Sequence, residues 1–303
     1  MPAGRRTIQF IADRGDARLR LDQILVRRVT EVTRMSRSRA QQWIESGAVS
    51  VNGSQATRPA VRVREGASVE VALPETSETR QRPEAAPGEL EIIHEDEHLI
   101  AVNKPAGIVV HPSYKNATGT LLSTLLWHLR DRDGVRPGLV SRLDKQTSGL
   151  LLVALSADVH ARLQRTAIAK EYLAVVAGTP RPSRGTIDLP LARDPADRRR
   201  VVVVDGGAHS ITRYEVLASD DEVSLVRCEL VTGRTHQIRV HLAAIGSPVL
   251  GDAVYGAADP RIPRQALHAW RATFVHPITG AALQLTAPIP HDVAAVVPHG
   301  DSR

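Results

Sequence analysis

Two short segments hold the residues that could do chemistry. The first is Ser141-Arg-Leu-Asp-Lys-Gln-Thr-Ser-Gly149, which runs directly into Leu150-Leu-Leu-Val-Ala154. An arginine and an aspartate, two residues apart, therefore stand at the mouth of an apolar run that reads as a buried strand. Charges at such a place are costly unless they are paired or used. The second is Thr232-Gly-Arg-Thr-His-Gln-Ile-Arg-Val-His241, with two arginines and two histidines in ten residues. A carboxylate such as Asp144 can attack carbon and later leave, and a guanidinium fork can hold it ionised. From its own segment alone, Asp144 has a second reading, as a turn cap or as the partner of Arg142 or Lys145.

Other reactive-looking features carry less. His236 and His241 are five apart, and no glutamate follows His236, which argues against a zinc-binding helix. Ser148 lacks the Gly-x-Ser-x-Gly context of a hydrolase elbow, although a hydrolase using Ser148 with His111 or His236 remains a rival reading. Lys104-Pro-Ala-Gly107 is no phosphate loop; its proline and glycine shape a turn beneath the site. Arg198-Arg-Arg200 reads as a solvated loop, with phosphate contact as the other reading. The single cysteine, Cys228, excludes a disulfide framework and a cysteine-rich metal site, and reads as a small core residue.

The chain has 303 residues, 42% hydrophobic, enough for one large or two smaller domains. Lysine and arginine total 39 against 33 acids, a formal charge of +6. Such a balance favours a polyanion, with a membrane surface as the rival partner. Aromatic residues are only 3%, too few for a broad base-stacking platform, so any stacking rests on one or two rings. Met1 to Arg6 is basic, but no long apolar segment follows, and the longest apolar runs are too short to span a bilayer. A cytoplasmic protein is expected.

Composition separates three regions that must position these residues. Residues 18–73 open with a helix whose Leu21, Ile24 and Leu25 share a face. A second helix starts near Ser36 as N-cap and ends before Gly47, with Ala40, Trp43 and Ile44 inward. Arg34, Arg37 and Arg39 crowd its start. Gly47-Ala-Val-Ser-Val-Asn-Gly53 then reads as a strand closing in a tight turn, and Val61, Val63, Val69 and Val71 supply two more alternating strands. Residues 74–88 are rich in Pro, Glu, Thr and Ser and read as a flexible linker. Residues 89–290 are dense in strand signals, at 90–93, 99–102, 150–154, 172–177, 201–204, 211–217, 223–231, 272–275 and 283–286. Helices are expected at 121–130, 157–166 and 237–244. Strands without regular helix alternation predict an α+β fold with a mixed, largely antiparallel sheet. From His291 on, the chain reads as a frayed tail.

Residues 18–73 resemble an S4 RNA-binding domain, on the Ser-Arg-Ser-Arg and Gly-Ala-Val-Ser-Val-Asn-Gly runs. Arg142-Leu-Asp144 with Thr147-Ser-Gly149 resembles the signature of the RluA-type pseudouridine synthases. The likeness continues in order through Lys104-Pro-Ala-Gly107 and His111-Pro112, Lys170-Glu-Tyr172, Gly233 to His241, Gly251-Asp252 and Tyr255-Gly256. It ends with Gln265 to Ala269, His276-Pro277 and Ala287-Pro-Ile-Pro290. With an S4-like segment in front, the chain is most similar to the RluD-like branch that modifies large-subunit ribosomal RNA. One departure is Ser141, where the family usually has histidine before Arg-Leu-Asp.

The resemblance implies a cofactor-free and metal-free isomerisation of uridine to pseudouridine in RNA. Ribosomal RNA is the preferred substrate and transfer RNA the alternative; a non-catalytic ribosome-assembly protein is the rival of another class. It implies Asp144 as nucleophile, Tyr172 as the tyrosine that stacks on the target base and removes a proton during rearrangement, and Arg234 as the arginine paired with the aspartate. Arg142 would fill the space left by a flipped nucleotide, and Arg34, Arg37 and Arg39 would contact RNA. The sequence carries no sign of oligomeric state.

Overall fold

The computed structural model describes residues 7–17, 19–33, 35, 37–73, 84–111, 119–197 and 199–298. The chain divides into two compact units, Met1–Arg82 and Pro83–Arg303.

The N-terminal unit contains β1 (Thr7–Ile11), α1 (Leu21–Thr33), α2 (Arg37–Glu45), β2 (Val49–Val51), β3 (Ser54–Gln55) and β4 (Ser68–Ala72). Its sheet runs β1-β4-β2-β3, all antiparallel. The apolar stripe of α1 and the inward face of α2 close over Val49, Val69 and Val71, giving one small core. Asn52 and Gly53, both at positive φ, join β2 to β3 in a two-residue turn. The alternation at Val61 and Val63 does not produce a strand. Only Arg62 bridges, to Arg20, and Val61 stays exposed while Val63 is buried. Strand β1 was not expected, although Ile8 and Phe10 alternate with the polar Thr7 and Gln9 and pack against the core. Arg34 and the expected cap Ser36 lie outside the described residues, as does 74–83 of the expected linker.

The C-terminal unit continues with β5 (Glu91–Glu95), β6 (Leu99–Lys104), α3 (Leu121–His128), β7 (Gly138–Leu139), β8 (Ser148–Ala154), α4 (Ala157–Leu163) and β9 (Ala169–Ala177). Then come β10 (Arg184–Asp188), β11 (Leu191–Arg193), β12 (Val201–Val203), β13 (Ile211–Ser219), β14 (Val223–Leu230) and α5 (Gln237–Ala244). The last elements are β15 (Leu267–Val275), β16 (Ala282–Thr286) and α6 (His291–Ala294). The main sheet runs β10-β13-β14-β9-β15-β8-β6-β5. Among its pairings only β8 with β15 is parallel, so the sheet is mixed and largely antiparallel.

Strand β8 sits at the centre with all seven residues buried. Leu151 and Val153 enter one core with Ile100, Val102 and Tyr172, while Leu150, Leu152 and Ala154 enter another with Leu99, Ala101 and Phe274. Period-two alternation thus feeds two apolar layers, which is why this strand reads as one unbroken hydrophobic run. The parallel crossing demands Gly149. Its φ is +113°, and a Cβ there would lie 2.2 Å from the Ala269 carbonyl oxygen.

The expected frayed tail is corrected. Residues His291–Ala294 form α6, with Val293 and Val296 buried. Asp292 accepts hydrogen bonds from Nε and Nη2 of Arg264 at 2.6 and 2.8 Å. A four-residue helix carries too little periodicity to be read from sequence. Among the described residues no helix is long and apolar enough to cross a membrane.

Candidate active site

The loop that delivers Asp144 is anchored from several sides. Gly107 N–H donates to the Lys145 carbonyl at 2.8 Å, so the Lys104-Pro-Ala-Gly107 turn docks against that loop. The Lys104 ammonium is fully buried. It donates to the carbonyls of Pro105 at 2.8 Å, Ile108 at 3.1 Å and Lys145 at 3.2 Å, which accounts for all three of its protons. Burial, reinforced by Arg264, brings its pKa down to about 8, and the Asp144 charge works the other way. On the far side, His160 Nε2 donates to the Leu139 carbonyl at 3.1 Å and Gln164 Nε2 to that of Val140 at 2.9 Å. One face of α4 and the turn after it thereby hold the backbone leading into Arg142. Arg264 Nη1 ties down the Gln146 carbonyl at 3.1 Å.

Helix α5 supplies the opposite wall. The Gln237 carboxamide fixes its start: Nε2 donates to the Ile211 carbonyl and to Thr212 Oγ1, while Oε1 accepts from Arg234 N–H and Thr232 Oγ1. Within the first turn, Arg239 is 5% exposed. It donates Nη1 to Asp144 Oδ2 at 2.9 Å, and grips Asp252 with Nε to Oδ2 at 2.6 Å and Nη2 to Oδ1 at 2.8 Å. Asp252 also accepts the backbone N–H groups of Val254 and Tyr255. Burial opposes its charge, but these donors keep its pKa below the ordinary carboxylate value. The centre is thus a guanidinium between two carboxylates. Asp252 is buried and saturated, whereas Asp144 is 25% exposed.

Strand register brings in the tyrosine. Ala269 on β15 pairs with Gly149 on one side and Tyr172 of β9 on the other, so Tyr172 stands two strands from the end of the Asp144 loop. Burial, and then the Asp144 charge, push its phenol well above the usual range, which keeps it protonated at neutral pH.

Asp144, Arg142, Tyr172 and Arg234 all line one open cavity of ≈ 880 Å³. Arg142 is exposed there and, among the described residues, has no ion pair, so the reading in which it neutralises Asp144 fails. The expectation for Arg234 is corrected. Its Nε donates to the His209 carbonyl at 3.2 Å from an exposed loop, and the arginine on Asp144 is Arg239. The reason is placement: residue 234 precedes α5, whereas residue 239 occupies the buried face of its first turn. Arg37 and Arg39 belong to the N-terminal unit, where Arg37 Nε donates to Asp22 at 3.2 Å and the Arg39 guanidinium lies 5.3 Å from the Trp43 ring centre. The Ser148 hydroxyl is buried against His268 Nδ1 at 3.0 Å and accepts from Arg264, so the rival hydrolase has its serine on neither expected histidine. Sequence reading missed Arg239, Asp252, His236 and Tyr255 as site residues. Their signals were present, in the second arginine of the same motif and in Gly251-Asp252 with Tyr255.

Residues 98–244 match the RNA pseudouridylate synthase family and residues 19–69 the S4 domain. The chain is 43% identical to ribosomal large subunit pseudouridine synthase D of Nitrosomonas europaea, over 96% of this chain and 87% of that protein. The chain belongs to the RNA pseudouridylate synthase family. A Bacillus subtilis RNA pseudouridine synthase, itself uncharacterised, is 41% identical over 86% of this chain and 88% of that one. The solved human RNA Pseudouridylate Synthase Domain Containing 1 is 28% identical with a TM-score of 0.55, over 67% of this chain and 86% of that one. As an RNA pseudouridylate synthase the protein isomerises uridine: the N1–C1′ bond is cut, uracil turns, and C5 joins C1′. No net oxidation or reduction occurs, so the demand falls on a group able to act at the sugar and then depart.

Proposed function

We propose that this synthase acts on large-subunit ribosomal RNA and that Asp144 is its nucleophile. The observation that carries the assignment is the Arg239 to Asp144 contact of 2.9 Å at an open cavity, which holds a partly exposed carboxylate in place there. Asp144 acts at the sugar, either on C1′ or by assisting glycal formation. Tyr172 packs against the uracil during rearrangement, and its protonated phenol offers a donor rather than a base. Arg142, exposed at the cavity and outside every ion pair among the described residues, occupies the stack vacated by the flipped uridine. The ribosomal substrate is supported by the name of the Nitrosomonas relative and by the S4 domain in front. Mapping pseudouridine in cellular RNA with and without this protein tests it. Loss of one or more positions in large-subunit ribosomal RNA is expected; losses confined to transfer RNA would overturn the substrate.

The S4 unit adds grip through Arg37 and Arg39. Removing residues 1–82 is expected to weaken binding to a large-subunit ribosomal RNA transcript. The slope of log affinity against log salt should also flatten, by about 0.7–0.9 for each phosphate that this unit neutralises in the intact protein. Binding curves at several salt concentrations measure both. An unchanged slope would leave the S4 unit without a role in RNA binding.

A further inference from the structure

Beside the Asp144 and Arg239 pair lies a second polar chain that the reading above leaves unused. The Tyr255 hydroxyl accepts the Val201 N–H at 2.8 Å and lies 2.7 Å from His236 Nδ1. The other ring nitrogen, His236 Nε2, is 3.7 Å from Asp144 Oδ2, the same oxygen that Arg239 holds. His236 is also the residue before α5, at φ +56°. A non-glycine residue there is strained, and such strain persists where the surroundings impose it. Its side chain makes no cap bond to the helix it precedes. The ring is turned to the cavity instead, where it is part of the lining.

The proton positions follow from the partners. Burial is the main influence on the imidazole and disfavours its cation; Asp144 and Asp252 pull the other way, while Arg239 and Arg193 reinforce burial. Arg200 and Arg239 also stand over the Tyr255 ring, at 5.7 and 5.0 Å. Burial, with Arg239 and Arg193, outweighs the two carboxylates and leaves the imidazole neutral at pH 7. A neutral ring with its proton on Nδ1 would aim a lone pair at the carboxylate. With the proton on Nε2 it aims a donor, and Nδ1 then accepts the Tyr255 O–H.

We propose that His236 is a positioning residue for the reaction: its Nε2–H, in a tautomer set by Tyr255, holds Asp144 Oδ2 alongside Arg239 and leaves Oδ1 to face the nucleotide. The inference rests on Asp144 being the nucleophile. The direct contact is long at 3.7 Å, so the hydrogen bond tightens only when RNA fills the cavity.

Four variants test it on a large-subunit ribosomal RNA transcript carrying C5-tritiated uridine, which releases tritium when C5 bonds to C1′. His236→Leu should lower the single-turnover rate about 100-fold, a loss typical of misplaced reacting groups. RNA affinity should stay within about 2-fold, a change of no more than ~0.4 kcal/mol. His236→Gln places an amide N–H where Nε2–H stood and should recover most of the rate. Tyr255→Phe, which keeps the ring over Arg239, should slow the wild type but add nothing in the His236→Gln background, since an amide has no tautomer to fix. Equal losses for leucine and glutamine, a loss confined to RNA affinity, or a full Tyr255→Phe effect in the glutamine background would each overturn the role. Should His236→Leu not fold, the Tyr255→Phe comparison decides alone. An active Asp144→Asn would instead remove the nucleophile assignment itself.

Discussion

Asp144→Asn is expected to abolish pseudouridine formation while leaving RNA binding intact. Asparagine has the shape of aspartate, and its carbonyl oxygen can take the place of Oδ2 against Arg239. What it lacks is the second carboxylate oxygen proposed to act at the sugar. Loss of a covalent nucleophile lowers kcat by about 10⁴-fold or more. The fold should hardly notice. Arg239 keeps its two-pronged grip on Asp252, and Asp144 is partly exposed, so no buried charge is orphaned. RNA affinity should stay level or rise slightly, because one negative charge leaves a cavity built to receive a polyanion. Tritium release from C5-labelled RNA and a binding titration on the same preparation read the two quantities. A wild-type rate in this variant would leave the protein as an RNA binder whose chemistry lies elsewhere. A large drop in affinity would mean that Asp144 holds the RNA interface together.

The architecture and the proposed reacting residue were legible for different reasons. Strand β8 declared itself by seven buried residues feeding two apolar layers, and α5 began at Gln237, where the sequence pattern places it. Such signals are local: a run, a period, a turn residue. Residues Leu191–Arg193 and Gly138–Leu139 are strands too short to show any period; the first pairs with the equally short Val201–Val203, and the second takes an edge that the longer β8 offers. The site divides in the same way. Asp144 was readable because a charge pair at the mouth of a buried strand asks for an explanation. Arg234 and Arg239 could not be told apart in one dimension. Both are arginines of one motif, and their roles depend on where α5 begins: Arg234 precedes it, and Arg239 lies within its first turn, where every residue is buried. Asp252 was still less visible, since its function comes from Gly251 at φ +72°. A Cβ there would lie 2.3 Å from the Arg264 carbonyl oxygen, so only glycine lets the chain bring that carboxylate beneath Arg239.

Arg239→Leu should damage both chemistry and stability, and the two losses can be separated. Leucine leaves Asp252, 1% exposed, with only the backbone N–H groups of Val254 and Tyr255. Removing one partner of a buried pair costs about 3–5 kcal/mol. The deficit should depend on pH with a definite sign. In the wild type, Arg239 holds the Asp252 pKa below 3.8 despite burial, so that contribution is present above the unfolded value and is lost as pH falls through the folded one. Without Arg239, burial pushes the folded pKa above the unfolded value. The native variant then binds more protons than the unfolded chain, and its stability declines as pH rises from 4 to 7. Thermal melts at both pH values should show the gap from wild type widening toward neutrality. Activity should fall about 10³-fold, the loss expected when a charge aimed at the reacting group is removed. Adding Asp252→Leu takes away the orphaned carboxylate, so the double variant should regain most of its melting temperature at pH 7 and none of its rate. Recovery of both would confine Arg239 to the fold. Recovery of stability alone puts its guanidinium on the reacting carboxylate.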